Sequence, residues 1–349
     1  MQRNKFIDFL KGICIIFVIV THYAWLTNER KIALFPFWVD MAVPIFMIIS
    51  GYVYSKSFVR NGISTFEGAY HPQNIYSKLI RYTIPYAVIF VFQIVLGIIN
   101  GADYSILQII KLFFVGGQGP GSYYYPIMVQ FVFLFPVIFM LVAKKQFKGV
   151  LFCAALTITF EISKWAYGMG EETYRLLIFR YIFLIAVGCY IVTLNKNHKQ
   201  NVPFNILLCI GSIMFTVLTY YGTYKPIFLA YWTSTCIIAC LFIVPIMIFL
   251  LLRCSFGFPP INFLGKASFH IFLIQMLYYN NFSNKIYTAI ENRSLELLVS
   301  ILICLIGGII FYLLETPISK HINKKIKSHY QKAINTSYIN INKHKGETL

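Results

Sequence analysis

A carboxylate, a cation and an imidazole share one side of the first apolar stretch, FIDFLKGICIIFVIVTHYAW (6–25). Read as a helix at ~100° per residue, Lys11 and His22 are eleven positions apart and return to nearly the same azimuth, with Asp8 one turn behind Lys11. His22 then stands about 16 Å above Lys11 on one polar stripe. An imidazole there can act as a general base or acid or as a nucleophile. The stretch is about 20 residues long, enough to cross ~30 Å of hydrocarbon. Charged groups are costly in lipid, so the stripe is expected to face a protein interior or a water-filled cavity. A signal anchor with a cytoplasmic lysine and an interfacial histidine fits the same residues, and the stretch alone leaves both readings open.

Other polar residues lie inside or beside apolar runs. In YSKLIRYTIPY, Lys78 and Arg81 stand one turn apart at the start of a run, with Pro85 just inside. Cations at that end oppose the helix macrodipole, a mild conflict that hints at use, although topology alone also places lysines there. Asp40 stands near the outer start of the second run and is the expected group to orient His22. Asp8 is fourteen residues from His22, about 21 Å along a helix, and is expected to pair with Lys11 or Arg81 instead. Glu161 and Lys164 share a helix face and read as an intramembrane ion pair. Arg180 has no partner in its own segment and is expected to find Glu161 or Asp40 across the bundle, either stabilising an oxyanion or serving structure alone. Ser50 beside Gly51 reads as close helix packing rather than as a nucleophile. The loop GGQGPG (116–121) lacks the spacing and the GK[ST] of a phosphate loop. Tyr23, Trp25, Trp38 and Tyr123 to Tyr125 gather on the outer side, as an interfacial belt or as a platform for sugar faces.

The elements that must hold these residues are helices in a bilayer. The 349 residues are 58% hydrophobic, 18% aromatic and only 12% charged, which excludes an ordinary water-soluble domain. Apolar runs of spanning length predict an all-α polytopic membrane protein rather than a barrel. Ten spans fall near 6–26, 37–55, 82–100, 126–143, 149–167, 174–194, 204–222, 227–252, 267–280 and 296–316. With both termini cytoplasmic, 21 of the lysines and arginines lie on the inner side against 8 on the outer. The net charge of +18 is spread between apolar runs and accompanies no nucleic-acid motif, so it points to anionic lipid headgroups. The eight cysteines sit in apolar runs without metal-ligand spacing, and no metal is expected. No cleavage site follows the first run, so it is expected to stay in the protein. Residues 1–316 form the membrane domain. In residues 317–349, Ile318, Ile322, Ile326, Tyr330 and Ile334 recur every fourth position among lysines, which predicts a basic amphipathic tail on the inner leaflet.

Four segments, in order, resemble acyltransferase family 3. IDFLKGICIIFVIVTHY is similar to the family's D-x-L-R-G…H helix at Asp8, Lys11, Gly12 and His22. VPIFMIISGYVYS resembles its F-F-x-x-S-G-[YF] helix at Phe46, Ser50 and Gly51. KLIRYTIPY resembles its R-x-x-R-x-x-P segment at Lys78, Arg81 and Pro85, and INFLGKASFHIFLIQ its L-G-x-x-S-x-x-I-Y-L-x-H element. Two positions depart: Lys11 replaces an arginine, keeping charge but losing the guanidinium fork, and Gln275 replaces a second histidine. His270, a turn earlier, is not the matching position and reads as packed or solvated. The resemblance implies a multi-pass enzyme of a bacterial cytoplasmic membrane. It would move an acyl group, in the first instance acetyl, from cytoplasmic acetyl-CoA to a hydroxyl of a surface polysaccharide or lipid-linked glycan. Lys11, Lys78 and Arg81 would hold the CoA phosphates, His22 would act as base or acyl acceptor, and Asp40 and Arg180 would assist. Asp8, Ser50, Gly51, Glu161, Lys164 and Gln275 would support them. The rival is a transporter of glycan or acyl intermediate without chemistry of its own, which buried charges also suit, though no inverted repeat is visible. A non-catalytic scaffold leaves Lys11 and His22 without a task.

Overall fold

A computed structural model describes residues 4–194, 198–227 and 233–346. Sixteen α-helices follow one another: α1 Lys5–Thr21, α2 Thr27–Ile32, α3 Ala42–Arg60, α4 Phe66–Ala69, α5 Pro72–Ile99, α6 Ile106–Val115, α7 Tyr124–Lys145, α8 Phe147–Ala166, α9 Glu171–Leu176, α10 Ile182–Thr193, α11 Val202–Thr216, α12 Ile237–Cys240, α13 Ile243–Arg253, α14 Pro259–Asn281, α15 Ser283–Ala289 and α16 Arg293–Gly346. No strand occurs among the described residues. Helix starts follow local chemistry. The Asn4 side chain accepts from the Phe6 N–H at 3.0 Å. Ser105 and Gln108 cap α6 reciprocally, and prolines open α5 and α14, where a missing N–H costs nothing.

Among the described residues, six helical runs are long and apolar enough to cross a membrane: Phe35–Arg60, Phe66–Ile99, Tyr124–Lys145, Phe147–Ala166, Val202–Tyr221 and Arg293–Ile326. Shorter apolar helices accompany them at Ile106–Val115, Ile178–Thr193 and Ile243–Arg253. By their length and apolar composition these helices suit a multi-pass membrane protein. The other expected spans take less regular forms. The first is α1, of 17 residues. The ninth, α14, is 23 residues long but interrupted by Asn262, Lys266, Ser268, His270 and Gln275. The eighth expected span includes 228–232, outside the described residues, and its described part is the two short helices α12 and α13. The amphipathic α6 was not expected as an element. Nor does any helix end at residue 316: α16 runs through Pro317, joining the last span to the first part of the expected tail.

The bundle is drawn together where glycines remove side chains between helices. A Cβ on Gly12 would overlap the Ile261 carbonyl, and one on Gly265 the Asp8 carbonyl, so α1 and α14 meet backbone to backbone. Gly51 lies against Ile185 and Gly188 against Ile48 in the same way, joining α3 to α10. From Ile182 to Cys189 every residue of α10 is buried, which explains an apolar run without amphipathic period. Between α3 and α7, the rings of Tyr54, Phe58, Phe131, Phe135 and Phe139 interlock at centroid distances of 4.8 to 6.0 Å. Apolar side chains stay uncovered on α11 (Leu207, Ile210, Met214) and α16 (Ile306, Ile310, Leu313), as a lipid-facing surface requires.

Candidate active site at the end of the first helix

His22 caps the C-terminus of α1, where the last carbonyls of a helix lack intrahelical donors. Here they accept bonds from elsewhere in the fold as well as from the cap N–H. Ile19 O accepts the Tyr279 hydroxyl at 3.1 Å, Val20 O accepts the Trp25 indole N–H at 2.7 Å, and Thr21 O accepts Arg30 at 3.3 Å. Arg30 also pairs with Asp40 at 2.8 Å. The following loop is tied to α16: Arg293 holds Glu29 at 2.7 and 3.1 Å and the Ala24 carbonyl at 2.8 Å, and the Tyr23 hydroxyl donates to Glu296. The helix end that carries the imidazole is therefore fixed by side chains of α2, α14 and α16 together with the loop.

The imidazole borders a small, partly open cavity between α1, α3, α5, α7 and α14. Lys11 and Arg81 line the same cavity, as do Ser50, Tyr123 and Tyr124. Apolar walls come from Ile15, Val18, Phe46, Phe269 and Phe272. The polar stripe read from the first helix thus faces an internal space, and Arg81 of α5 joins it from the opposite wall. Arg81 keeps much of its surface uncovered while lining this recess. Cations and an imidazole around one cavity can hold an anionic group and move a proton to or from a group bound beside the ring.

Other expected site residues stand elsewhere. Asp40 does not reach His22 in any described contact; the turn between α1 and α3 interposes Arg30, so the carboxylate acts on the helix end through that guanidinium. Lys78 does not line the cavity. Its Nζ is buried over the rings of Tyr54 at 4.7 Å, Phe58 at 4.4 Å and Phe135 at 5.7 Å, because α5 turns this residue toward α3 and α7. Arg180 also lies off the cavity wall, its guanidinium over Tyr181 at 4.6 Å, Tyr174 at 5.1 Å and Tyr123 at 5.4 Å. The Tyr174 hydroxyl donates to Glu161 and its ring underlies Lys164 at 4.3 Å, so Glu161, Lys164 and Arg180 form one cluster around that tyrosine. Asp8 is buried in the glycine contact between α1 and α14. Gln275 is fully buried, and neither amide atom has a partner among the described residues. His270 is neither solvated nor merely packed: its Nε2 meets Glu315 at 2.6 Å, tying α14 to α16.

Trp38 and Trp25 are held by contacts within the fold. Trp38 donates to the Ala33 carbonyl at 2.6 Å and its ring meets Phe17 at 5.2 Å, while Trp25 packs between Tyr23 and Phe35. Of the tyrosine run, Tyr123 and Tyr124 line the cavity, whereas Tyr125 stacks on Tyr86 at 3.7 Å. Sequence reasoning missed Arg30, Tyr82, Gly121, Ser268 and Phe272. The i, i+4 spacing of Ser268 and Phe272 along α14 was a usable signal; Arg30 gave none.

The family model for acyltransferase family 3, described as an acyltransferase domain, matches residues 4–313. The chain belongs to acyltransferase family 3. No curated protein and no solved structure matches it. The family match takes in every residue that lines the cavity, and it makes the chain a membrane acyltransferase.

In this family member, Lys78 and Arg81 are expected to behave differently although one turn apart. Lys78→Met fills the aromatic cage with a chain of similar length and should leave the KM for the acyl donor within about twofold of wild type. Arg81→Met removes a cation from the cavity wall and should raise that KM at least about tenfold, roughly the 1.5–3 kcal/mol of one charge-assisted hydrogen bond. Steady-state kinetics on purified variants checks the contrast.

Proposed function

We propose that this acyltransferase moves an acetyl group from cytoplasmic acetyl-CoA to a hydroxyl of a surface polysaccharide or lipid-linked glycan outside a bacterial cytoplasmic membrane. Ten spans, counting α1 and α14, carry the membrane domain with both termini cytoplasmic, and the lysine-rich continuation of α16 beyond Pro317 meets anionic headgroups on the inner side. The observation that carries the reading is that Lys11, Arg81 and His22 line one cavity, three turns of α1 separating the first from the last.

Lys11 and Arg81 hold the CoA phosphates, and the thioester lies toward His22. The neutral imidazole takes the proton of the acceptor hydroxyl as its oxygen attacks the thioester carbonyl. The C–O bond forms, the C–S bond breaks, and the imidazolium returns the proton to the leaving thiolate. Ser50, Tyr123 and Tyr124 offer hydroxyl donors along the wall for the developing oxyanion. Tyr123 and Tyr124 also offer aromatic faces to a sugar. Arg180 acts through Tyr123, on which it stacks, and Asp40 acts through Arg30; both are positioning residues.

Purified full-length protein in detergent, given labelled acetyl-CoA and de-acylated surface polysaccharide, should yield an alkali-labile ester on the polysaccharide without any membrane gradient. Transport activity in vesicles with no ester formed in detergent would instead favour the transporter reading.

A further inference from the structure

At the cavity wall two phenols share one hydrogen bond. The Tyr54 hydroxyl of α3 and the Tyr82 hydroxyl of α5 stand 2.8 Å apart, and both residues are buried. One hydroxyl must donate to the other, and the one that accepts keeps a proton of its own to place. Neither has a second hydrogen-bond partner among the described residues. Their surroundings differ. Tyr54 does not border the cavity. Its ring meets Phe131 at 4.8 Å, Phe135 at 5.4 Å and the Lys78 ammonium at 4.7 Å, none of which offers an oxygen or nitrogen acceptor. Tyr82 does border the cavity, with its ring edge-on to Phe269 at 5.3 Å. A buried O–H without an acceptor is costly. Tyr54 therefore donates to Tyr82, and the Tyr82 proton is left to turn to the cavity.

The neighbouring residue indicates what would accept that proton. Arg81 borders the same cavity, keeps much of its surface uncovered and has no ion pair or hydrogen bond among the described residues. Of the ionisable groups around its guanidinium, the phenol of Tyr82 acts on it most, followed by Tyr54, Tyr312 and Tyr124, and none of these is a carboxylate. A guanidinium without an anion, beside a hydroxyl with a proton to give, forms a pair of donors suited to phosphate oxygens. We infer that Tyr82 is a further CoA-binding residue, giving its O–H to a phosphate of the coenzyme beside Arg81, with Tyr54 the positioning residue that fixes that proton toward the cavity. This inference rests on the reading that Arg81 holds the CoA phosphates.

The test compares the binding of CoA and of pantetheine, which keeps the thiol arm and lacks every phosphate, to full-length purified protein in detergent by titration calorimetry. Losing one hydrogen bond to a charged group weakens binding about tenfold or more. Tyr82→Phe should therefore raise the Kd for CoA at least about tenfold and leave that for pantetheine unchanged. Tyr54→Phe, which removes a hydroxyl outside the cavity, should raise the Kd for CoA by a smaller factor, again without effect on pantetheine. A merely structural role for Tyr54 would weaken both ligands or neither. Should Tyr82→Phe fail to fold because Tyr54 is left unpaired, the double variant Tyr54→Phe/Tyr82→Phe removes both hydroxyls and carries the measurement. Should pantetheine not bind wild type, the change in CoA affinity decides alone. Equal weakening of CoA and pantetheine, or no weakening of either, overturns the inference; a raised Kd for CoA in Arg81→Met would still leave the reading of Arg81 intact. Loss of phosphatidylglycerol binding in Tyr82→Phe with unchanged CoA affinity would assign the hydroxyl to a lipid headgroup and overturn the inference as well. A wild-type protein that binds no CoA overturns both.

Discussion

Replacing His22 by alanine abolishes acyl transfer while the protein stays inserted and abundant. The ring borders the cavity and is only partly covered, and no described hydrogen bond of the fold ends on it. The backbone N–H of residue 22, which bonds to Ile19 O and Val20 O, survives the change. The three carbonyls that fix the helix end are bound by Tyr279, Trp25 and Arg30, which the substitution leaves in place. Loss of a general base costs about 10²- to 10⁴-fold, and loss of an acyl-accepting nucleophile costs at least as much. Ester formed on the proposed glycan acceptor, measured with equal amounts of wild-type and variant protein in the membrane, should drop to background. Retention of near-normal ester with His22→Ala would remove the imidazole from the chemistry.

The second large effect is on folding. Gly12→Leu is expected to prevent the chain from accumulating in a folded form, because its Cβ alone overlaps the Ile261 carbonyl and the rest of the side chain would enter α14. Overpacking a core by side chains costs about 1–3 kcal/mol; here the obstacle is backbone, which has no rotamer to change, so the loss exceeds that range. Gly211 of α11 provides the control, since a Cβ there meets nothing within 4 Å. Gly211→Ala should leave stability unchanged or raise it by up to about 1 kcal/mol, the helix-propensity gain over glycine. Thermal unfolding followed by size-exclusion in detergent separates the two variants. Equal stability would mean that α1 and α14 do not cross at these glycines.

The sequence was most informative where one helix carried the whole pattern. The alignment of Lys11 with His22 needs only a period of 3.6 residues, and both do line one cavity. Gly51 was readable as close packing for the same reason, although the adjacent Ser50 turns out to face the cavity. What could not be read was the partner of each charge. Arg30 reaches both Asp40 and the Thr21 carbonyl only because the chain after α1 folds back in a short helix and a tight turn, and nothing in hydropathy marks that. Lys78 and Arg81 look equivalent on paper, but a rotation of about 300° between them along α5 turns one into an aromatic cage and the other toward the cavity. Span counting suffered from helices whose apolar content is interrupted: in α14 His270 is buried against Glu315 of α16, Gln275 is buried and Ser268 faces the cavity, so polar residues sit inside a helix that packs within the bundle. The glycine loop was visible as a motif, but its contact with His22 joins residues about a hundred positions apart.

The most direct measurement is a structure of the protein with acetyl-CoA bound. The account predicts density for the phosphates against Lys11 and Arg81 and an acyl carbon within about 4 Å of His22 Nε2, the reach of a near-attack geometry. Coenzyme density that avoids these cations, or a thioester separated from His22 by packed side chains, would contradict it.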